Sequence, residues 1–250
     1  MNQAKVLNFF GLLLIMFGMS FALPLFVAIF YGENLTKVFG LGMSSLVLLG
    51  FLSWFFTKDN KQELSLSDGF VITVLFWIVL SVSGSIPFLL FGFSVVDSFF
   101  ESMSGITTTG ATVIAGLDDL PKSLLIYRQL LQWLGGMGLI VLAIAVMPLL
   151  GIGGGQLFKT QTPGPMSEQR LTPRITSTAR ALWSIYFVLT VLCILAYRLA
   201  GMNNFDAVSH AFSTVSIGGF STHDLSIGFF NSLSIEIVCI TFMLLSAMSF

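Results

Sequence analysis

Between Glu101 and Val113 the chain reads ESMSGITTTGATV, with three consecutive threonines followed by a glycine and apolar runs on either side. Hydroxyls and backbone carbonyls at this spacing allow three uses: an ordinary surface turn, a hydroxyl cluster for catalysis, or a backbone arranged to hold a ligand. A dehydrated monovalent cation needs several oxygens in place of its water, and rings of backbone carbonyls can supply them. Glycine suits such a loop because carbonyls that converge force dihedrals that are costly for a residue with a Cβ. Threonine adds a hydroxyl that ligates or braces. The inner part of the loop has no carboxylate, whereas a calcium site would offer several.

Other chemistries fit the residues less well. A serine hydrolase needs a nucleophile and a histidine base at matched depth, yet SVSG (81–84) and SMSG (102–105) lack the leading glycine of a G-x-S-G motif. Of the two histidines, His210 reads as a polar helix residue and His223 as an exposed loop residue. Cys193 and Cys239 lie inside apolar runs and read as small buried hydrophobes, with neither disulfide nor zinc-ligand spacing. These residues describe no enzyme.

The elements that carry the loop must live in lipid. Hydrophobic residues make up 55% of the 250, charged residues 9%, and mean hydropathy is +0.93; soluble domains carry about 25% charged residues. The near-zero net charge gives no basic patch for nucleic acid. Lys5 precedes an apolar run that outlasts a signal-peptide core, and no small-residue cleavage site closes it. Six segments are candidates to cross a membrane: Val6–Phe30, Val38–Phe56, Phe70–Phe91, Ser123–Leu150, Ala181–Leu199 and Leu233–Phe250. The last has no polar flank, which suggests a truncated or partial gene product.

If all six cross, Lys5, Lys58, Lys61, Lys159, Arg170, Arg174 and Arg180 fall on one side. That is seven of the eleven basic residues, which makes the side cytoplasmic and places the N-terminus there. The opposite side carries Asp97, Glu101, Asp118, Asp119, Asp206 and Asp224. These are either acids merely tolerated outside or an outer vestibule that concentrates cations.

On that outer side, Asp97–Ile106 is too short to span. Ser98 and Glu101 match an S-x-x-E capping box, and Phe99, Phe100 and Met103 supply an apolar face. Ten helical residues reach about 15 Å, half a bilayer, so TTTGAT returns as irregular chain, which lipid tolerates only when it is shielded or lines a wet cavity. A second copy follows: DSFFESMSGITTTGAT (97–112) aligns without gaps to DAVSHAFSTVSIGGFS (206–221). Asp97 pairs with Asp206, Ser104 with Ser213 and Gly110 with Gly219; a shift to Gly218 remains open. GGMG (135–138) reads as a close helix-packing face or a hinge. GIGGG (151–155) and QTPGP (161–165) end that span and begin a linker.

DSFFESMSGITTTGAT, YRQLLQWLGGMGLIVLAIAVMPLLGIGG and HAFSTVSIGGFSTHD closely resemble TrkH-type subunits of bacterial potassium uptake systems, from the first segment to the last residue. The expected fold is an all-α integral membrane protein with potassium-channel-like helix–pore loop–helix repeats, two of the family's four, after a two-helix N-terminal unit. The units are residues 1–66, the first repeat at 67–150, a cytoplasmic linker at 151–179, and a second repeat at 180–250. The resemblance implies K⁺ coordination by Thr108, Thr109 and Gly110 in the first loop and by Ile217, Gly218 and Gly219 in the second. It also implies no organic cofactor, a bacterial inner-membrane location, a homodimer, and a cytoplasmic nucleotide-binding regulatory subunit (TrkA-like). Two repeats leave half a ring of carbonyls, so the chain alone is not expected to conduct. A channel completed by self-association and a non-transporting membrane subunit are the alternatives.

The reading frame downstream of Phe250 is expected to encode two further loops of the same kind. Sequencing the downstream DNA checks this, and a stop followed by unrelated sequence would refute it.

Overall fold

The computed structural model describes residues 3–58, 66–146 and 171–249, with side chains described for 3–58, 68–138 and 180–248. Among them it has ten α-helices: α1 (Gln3–Ser20), α2 (Ala22–Phe30), α3 (Thr36–Thr57), α4 (Leu66–Gly84), α5 (Ile86–Phe91), α6 (Val95–Ile106), α7 (Lys122–Val146), α8 (Leu171–Leu199), α9 (Asn204–Val215) and α10 (Leu233–Ser249). Short 3₁₀ turns at Leu117–Asp119 and Ser226–Phe230 follow the two half-length helices.

Among the described residues, four stretches are long and apolar enough to cross a membrane: Gln3–Phe30, Thr36–Thr57, Asp68–Phe91 and Arg180–Leu199; Leu233–Met248 is apolar but shorter. Two of the expected spans are broken. Pro24 and Pro87 have no N–H for the carbonyls four residues back, at Ser20 and Ser83, and the helix is interrupted there. The interruptions separate α1 from α2 and α4 from α5. Of the expected linker at 151–179, residues 171–179 are described, and they are helical within α8. GIGGG and QTPGP lie outside the described residues, as does the end of the expected span at 147–150.

α1 and α3 pack side by side along their length. Lipid gives helices no hydrophobic reason to associate, so close approach through small residues and polar bonds must hold them. A Cβ on Gly50 would lie 2.6 Å from the carbonyl oxygen of Gly11, and one on Gly11 would lie 2.7 Å from the backbone nitrogen of Trp54. Near the helix ends Asn8 donates to the Thr57 hydroxyl at 3.1 Å. The pair docks on α7 through a ring cluster: Phe21, Phe39 and Phe88 lie 5.2, 5.5 and 5.3 Å from Tyr127, mostly edge-on or tilted. Tyr127 is fully buried and donates its hydroxyl proton to the Gly84 carbonyl at 2.7 Å, at the α4–α5 break.

α7 is the axis of the assembly. It touches α2, α4, α6, α8 and α9, and Leu124, Tyr127, Arg128, Gln129, Leu131 and Gln132 are all buried. A second cluster forms from Met137 of α7, Tyr186, Cys193 and Tyr197 of α8, and Ala207, Ala211 and Val215 of α9. Cys193 and Cys239 are free thiols.

Gly50→Val is expected to destabilise the protein by about 1–3 kcal/mol, the cost of overpacking a tight contact. A lowered thermal midpoint in detergent checks this; an unchanged midpoint would show that α1 and α3 are not held by backbone contact.

Candidate functional site: two matched loops over one cavity

α6 and α9 are each 12 residues long. The Ser94 hydroxyl accepts from the Asp97 N–H at 3.1 Å, and the Asn203 side chain accepts from the Asp206 N–H at 2.9 Å. Each helix thus begins with a side-chain cap on an aspartate two residues into the first turn, where its charge also suits the helix dipole. The expected capping box on Ser98 is corrected by this geometry: the helix starts two residues earlier, and Ser98 is buried within it. The expected apolar face is present, and its phenylalanines point outward. Phe99 and Phe100 are exposed, while the buried face is Ser98, Glu101, Ser102 and Gly105.

The loops repeat the same backbone. The N–H of Thr108 bonds to the Gly105 carbonyl at 3.0 Å and that of Thr109 to Ser104 at 2.9 Å; Ile217 bonds to Thr214 at 3.1 Å and Gly218 to Ser213 at 2.8 Å. Thr108 has φ 55° and Ile217 φ 56°, followed two residues on by Gly110 at 77° and Gly219 at 83°. All these pairs keep one sequence offset, so the loop register pairs Gly110 with Gly219. A left-handed conformation is the more unusual because Thr108 and Ile217 are both β-branched. Each such residue stores roughly 1–3 kcal/mol, which packing elsewhere must offset. The two loops touch, since a Cβ on Gly110 would collide with the Gly218 carbonyl oxygen.

Beneath both helix ends lies a cavity of about 580 Å³ lined by Thr107, Thr108, Val215, Ser216, Ile217, Tyr186 and Ser246, with Gly135 and Gly136 of α7. The C-terminal ends of α6 and α9 thus meet at one space, and their carbonyls give it a partial negative charge. Gly135 admits the approach: a Cβ there would collide with the Ile106 carbonyl oxygen. Of the GGMG readings, close packing is the one the geometry fits.

What holds the loops is a buried ion pair that sequence reading missed. Arg128 Nε donates to Glu101 Oε1 at 2.7 Å, with both side chains fully buried. Its other nitrogens donate to the Ser221 carbonyl at 3.0 Å and the Thr112 hydroxyl at 3.1 Å. Thr112 donates onward to Glu101 Oε2 at 2.9 Å, and the guanidinium stacks on Phe220 at 4.4 Å. One turn along α7, Gln132 Oε1 accepts from the Phe220 N–H at 3.0 Å. Glu101 therefore does not belong to an outer vestibule; α6 turns it inward against Arg128. An arginine inside a span, one helix away from a glutamate, was the available signal.

Asp97, Asp118, Asp206 and Asp224 also have partners. Asp97 accepts from the Ser94 hydroxyl at 2.7 Å, and Asp224 receives the N–H groups of Gly116 and Leu117 at 3.1 Å each. Asp206 is buried and accepts from Thr222 at 2.7 Å. His223 is not an exposed loop residue. It stacks on Phe229 at 3.5 Å, hydrogen-bonds Asp118 through Nδ1, and reaches Asp206 at 3.3 Å through Nε2. Its contacts thus tie the first loop segment to α9. His210 is buried, bonded to the Asp206 carbonyl and the Ser221 hydroxyl at 2.9 Å each. Asp118 and Asp119 are exposed.

A membrane-embedded, all-helical chain with two matched loops over a shared cavity has the form of a cation transport protein, and the chain belongs to the TrkH cation transport family, whose model matches residues 35–250. It is 51% identical over its whole length to the Trk system potassium uptake protein TrkH of Halomonas elongata, and 45% identical over its whole length to TrkH of Escherichia coli K12. It covers 52% of each of those relatives, so the chain spans about half their length. The crystal structure of the potassium transporter TrkH from Vibrio parahaemolyticus superposes with a TM-score of 0.86 at 48% identity, over 99% of this chain and 50% of that one.

The hydrogen bond from His223 holds the Asp118 carboxyl below its ordinary value of 3.8. A depressed carboxylate pKa stabilises the fold above the unfolded value, and that stabilisation is lost as pH falls through the depressed value. Parent and Asp118→Asn proteins should therefore differ in thermal midpoint at pH 6 and converge only in stronger acid, as pH falls below 3.8 and through the depressed value. Midpoints measured across that range check it; equal midpoints at pH 6 would show that the contact contributes nothing.

Proposed function

We propose that this chain supplies half of a potassium uptake pathway, with the two loops as two of four strands of a carbonyl- and threonine-lined selectivity filter. Thr108, Thr109 and Gly110 ligate K⁺ from the first loop, and Ile217, Gly218 and Gly219 from the second, mostly through backbone carbonyls. The observation that carries this reading is the matched pair of left-handed residues, Thr108 with Gly110 and Ile217 with Gly219. Equal backbone strain at two symmetric sites above one cavity is what a shared ligand shell would demand. The half-helix ends supply the negative partial charge that a dehydrated cation needs.

K⁺ is then the transported species, with no covalent chemistry and no organic cofactor. Of the outer acids, Asp118, Asp119 and Asp224 are exposed, and they would draw cations toward an outer mouth. The relatives' names support K⁺ as the ion and a multi-component system. Family resemblance alone supports the bacterial inner membrane, a cytoplasmic N-terminus, a homodimer and a nucleotide-binding regulatory subunit. A ring of four strands requires more than the two loops here, so the 250 residues alone do not conduct.

In the protein expressed from its complete reading frame, Gly110→Ser should lower the preference for K⁺ over Na⁺ by about tenfold, equivalent to about 1.4 kcal/mol. Uptake of the two ions into cells lacking other potassium transporters measures this. Unchanged selectivity would refute the filter assignment.

A further inference from the structure

We infer that Arg128 and Gln132 on α7 are positioning residues that set ion selectivity in both loops at once; the inference rests on the filter reading above. The two lie four residues apart, on one face of the helix. Together they hold consecutive backbone groups of the second loop: Gln132 receives the Phe220 N–H at 3.0 Å, and Arg128 donates to the Ser221 carbonyl at 3.0 Å. Those groups directly follow Gly218 and Gly219. Gly218 itself packs on the Gln132 side chain, so closely that a Cβ there would collide with it.

The same arginine reaches the first loop through the Thr112 hydroxyl at 3.1 Å, two residues beyond Gly110. α7 follows the first loop in the chain, yet its grip on the second is at least as extensive. Each loop's position is thereby referred to one rigid helix, and the spacing between them follows from two side chains rather than from either loop alone. Gln132 strengthens the case. Its Nε2 is buried with no hydrogen-bond partner among the described residues, so the amide bears a desolvation penalty and in return makes the bond to Phe220.

Arginine's planar fork serves three acceptors in fixed directions, which a lysine cannot do. The test is the K⁺/Na⁺ flux ratio of the protein from its complete reading frame, reconstituted in liposomes. A ratio does not depend on how much protein folded, so a merely structural role would not move it. Arg128→Lys keeps the charge, and Gln132→Met keeps volume while removing the acceptor. Each should lower the ratio by about fivefold, the scale of one lost hydrogen bond, with Gly110→Ser measured alongside. If Gly110→Ser lowers the ratio and both α7 variants match the parent, the positioning role is wrong and the filter reading stands. If Gly110→Ser also matches the parent, the filter reading falls and takes this inference with it. Should Arg128→Lys fail to fold, Gln132→Met decides alone.

Discussion

Four parts of the chain meet at the ion pair between Glu101 and Arg128: α6, α7, the loop after α6 and the loop after α9. Removing two charges from water is expensive, by several kcal/mol per ion even after relaxation, and Coulomb attraction repays it only when the remaining donors and acceptors are satisfied. Here all three classes of guanidinium nitrogen have acceptors, and both carboxylate oxygens receive the Thr112 hydroxyl. The Val113 N–H adds a further bond to Glu101 at 3.3 Å. Such a pair is weak as a source of net stability and strong as a constraint on geometry. Loss of either member would leave the other buried and unpaired.

The rest of the structure extends that constraint outward. Lipid offers little reason for helices to associate, so polar bonds and glycine contacts carry the work that an apolar core does in water. Glu33 receives the Lys122 and Ser123 N–H groups and fixes the start of α7. Asp224 and His223 fix the outer segments to one another. Acids that read as a charged mouth are in large part this frame. Tyr186 donates to the Trp133 carbonyl at 3.0 Å, and Tyr197 shares a hydrogen bond with Thr214 at 2.7 Å, so α8 is tied to α7 and α9 by similar means. Against this frame the left-handed backbone at Thr108 and Ile217 can persist, because neither loop can relax without breaking bonds to a helix.

Much of this was legible in the chain. Composition and run length established a membrane protein, since lipid leaves few other homes for such a surface. The short length of 97–106 implied a half-helix, and the gapless repeat placed its partner; the choice of Gly219 over Gly218 opposite Gly110 came from the backbone dihedrals. Prolines at 24 and 87 could have announced the helix breaks, but an apolar run hides them because hydropathy carries no backbone information.

Which residue faces which neighbour was not legible. The apolar face of α6 was legible but the direction it takes was not: Phe99 and Phe100 are exposed, and Ser98, Ser102 and Gly105 are buried because small residues let helices approach. Glu101 looked like a surface acid because its counter-charge lies 27 residues away on another helix. The sequence by itself determined that lipid surrounds this chain and that two loops repeat, because hydropathy and spacing are local properties. Only the tertiary structure decided that Arg128 and Gln132 hold both loops, because that pairing exists only once α6, α7 and α9 are packed together.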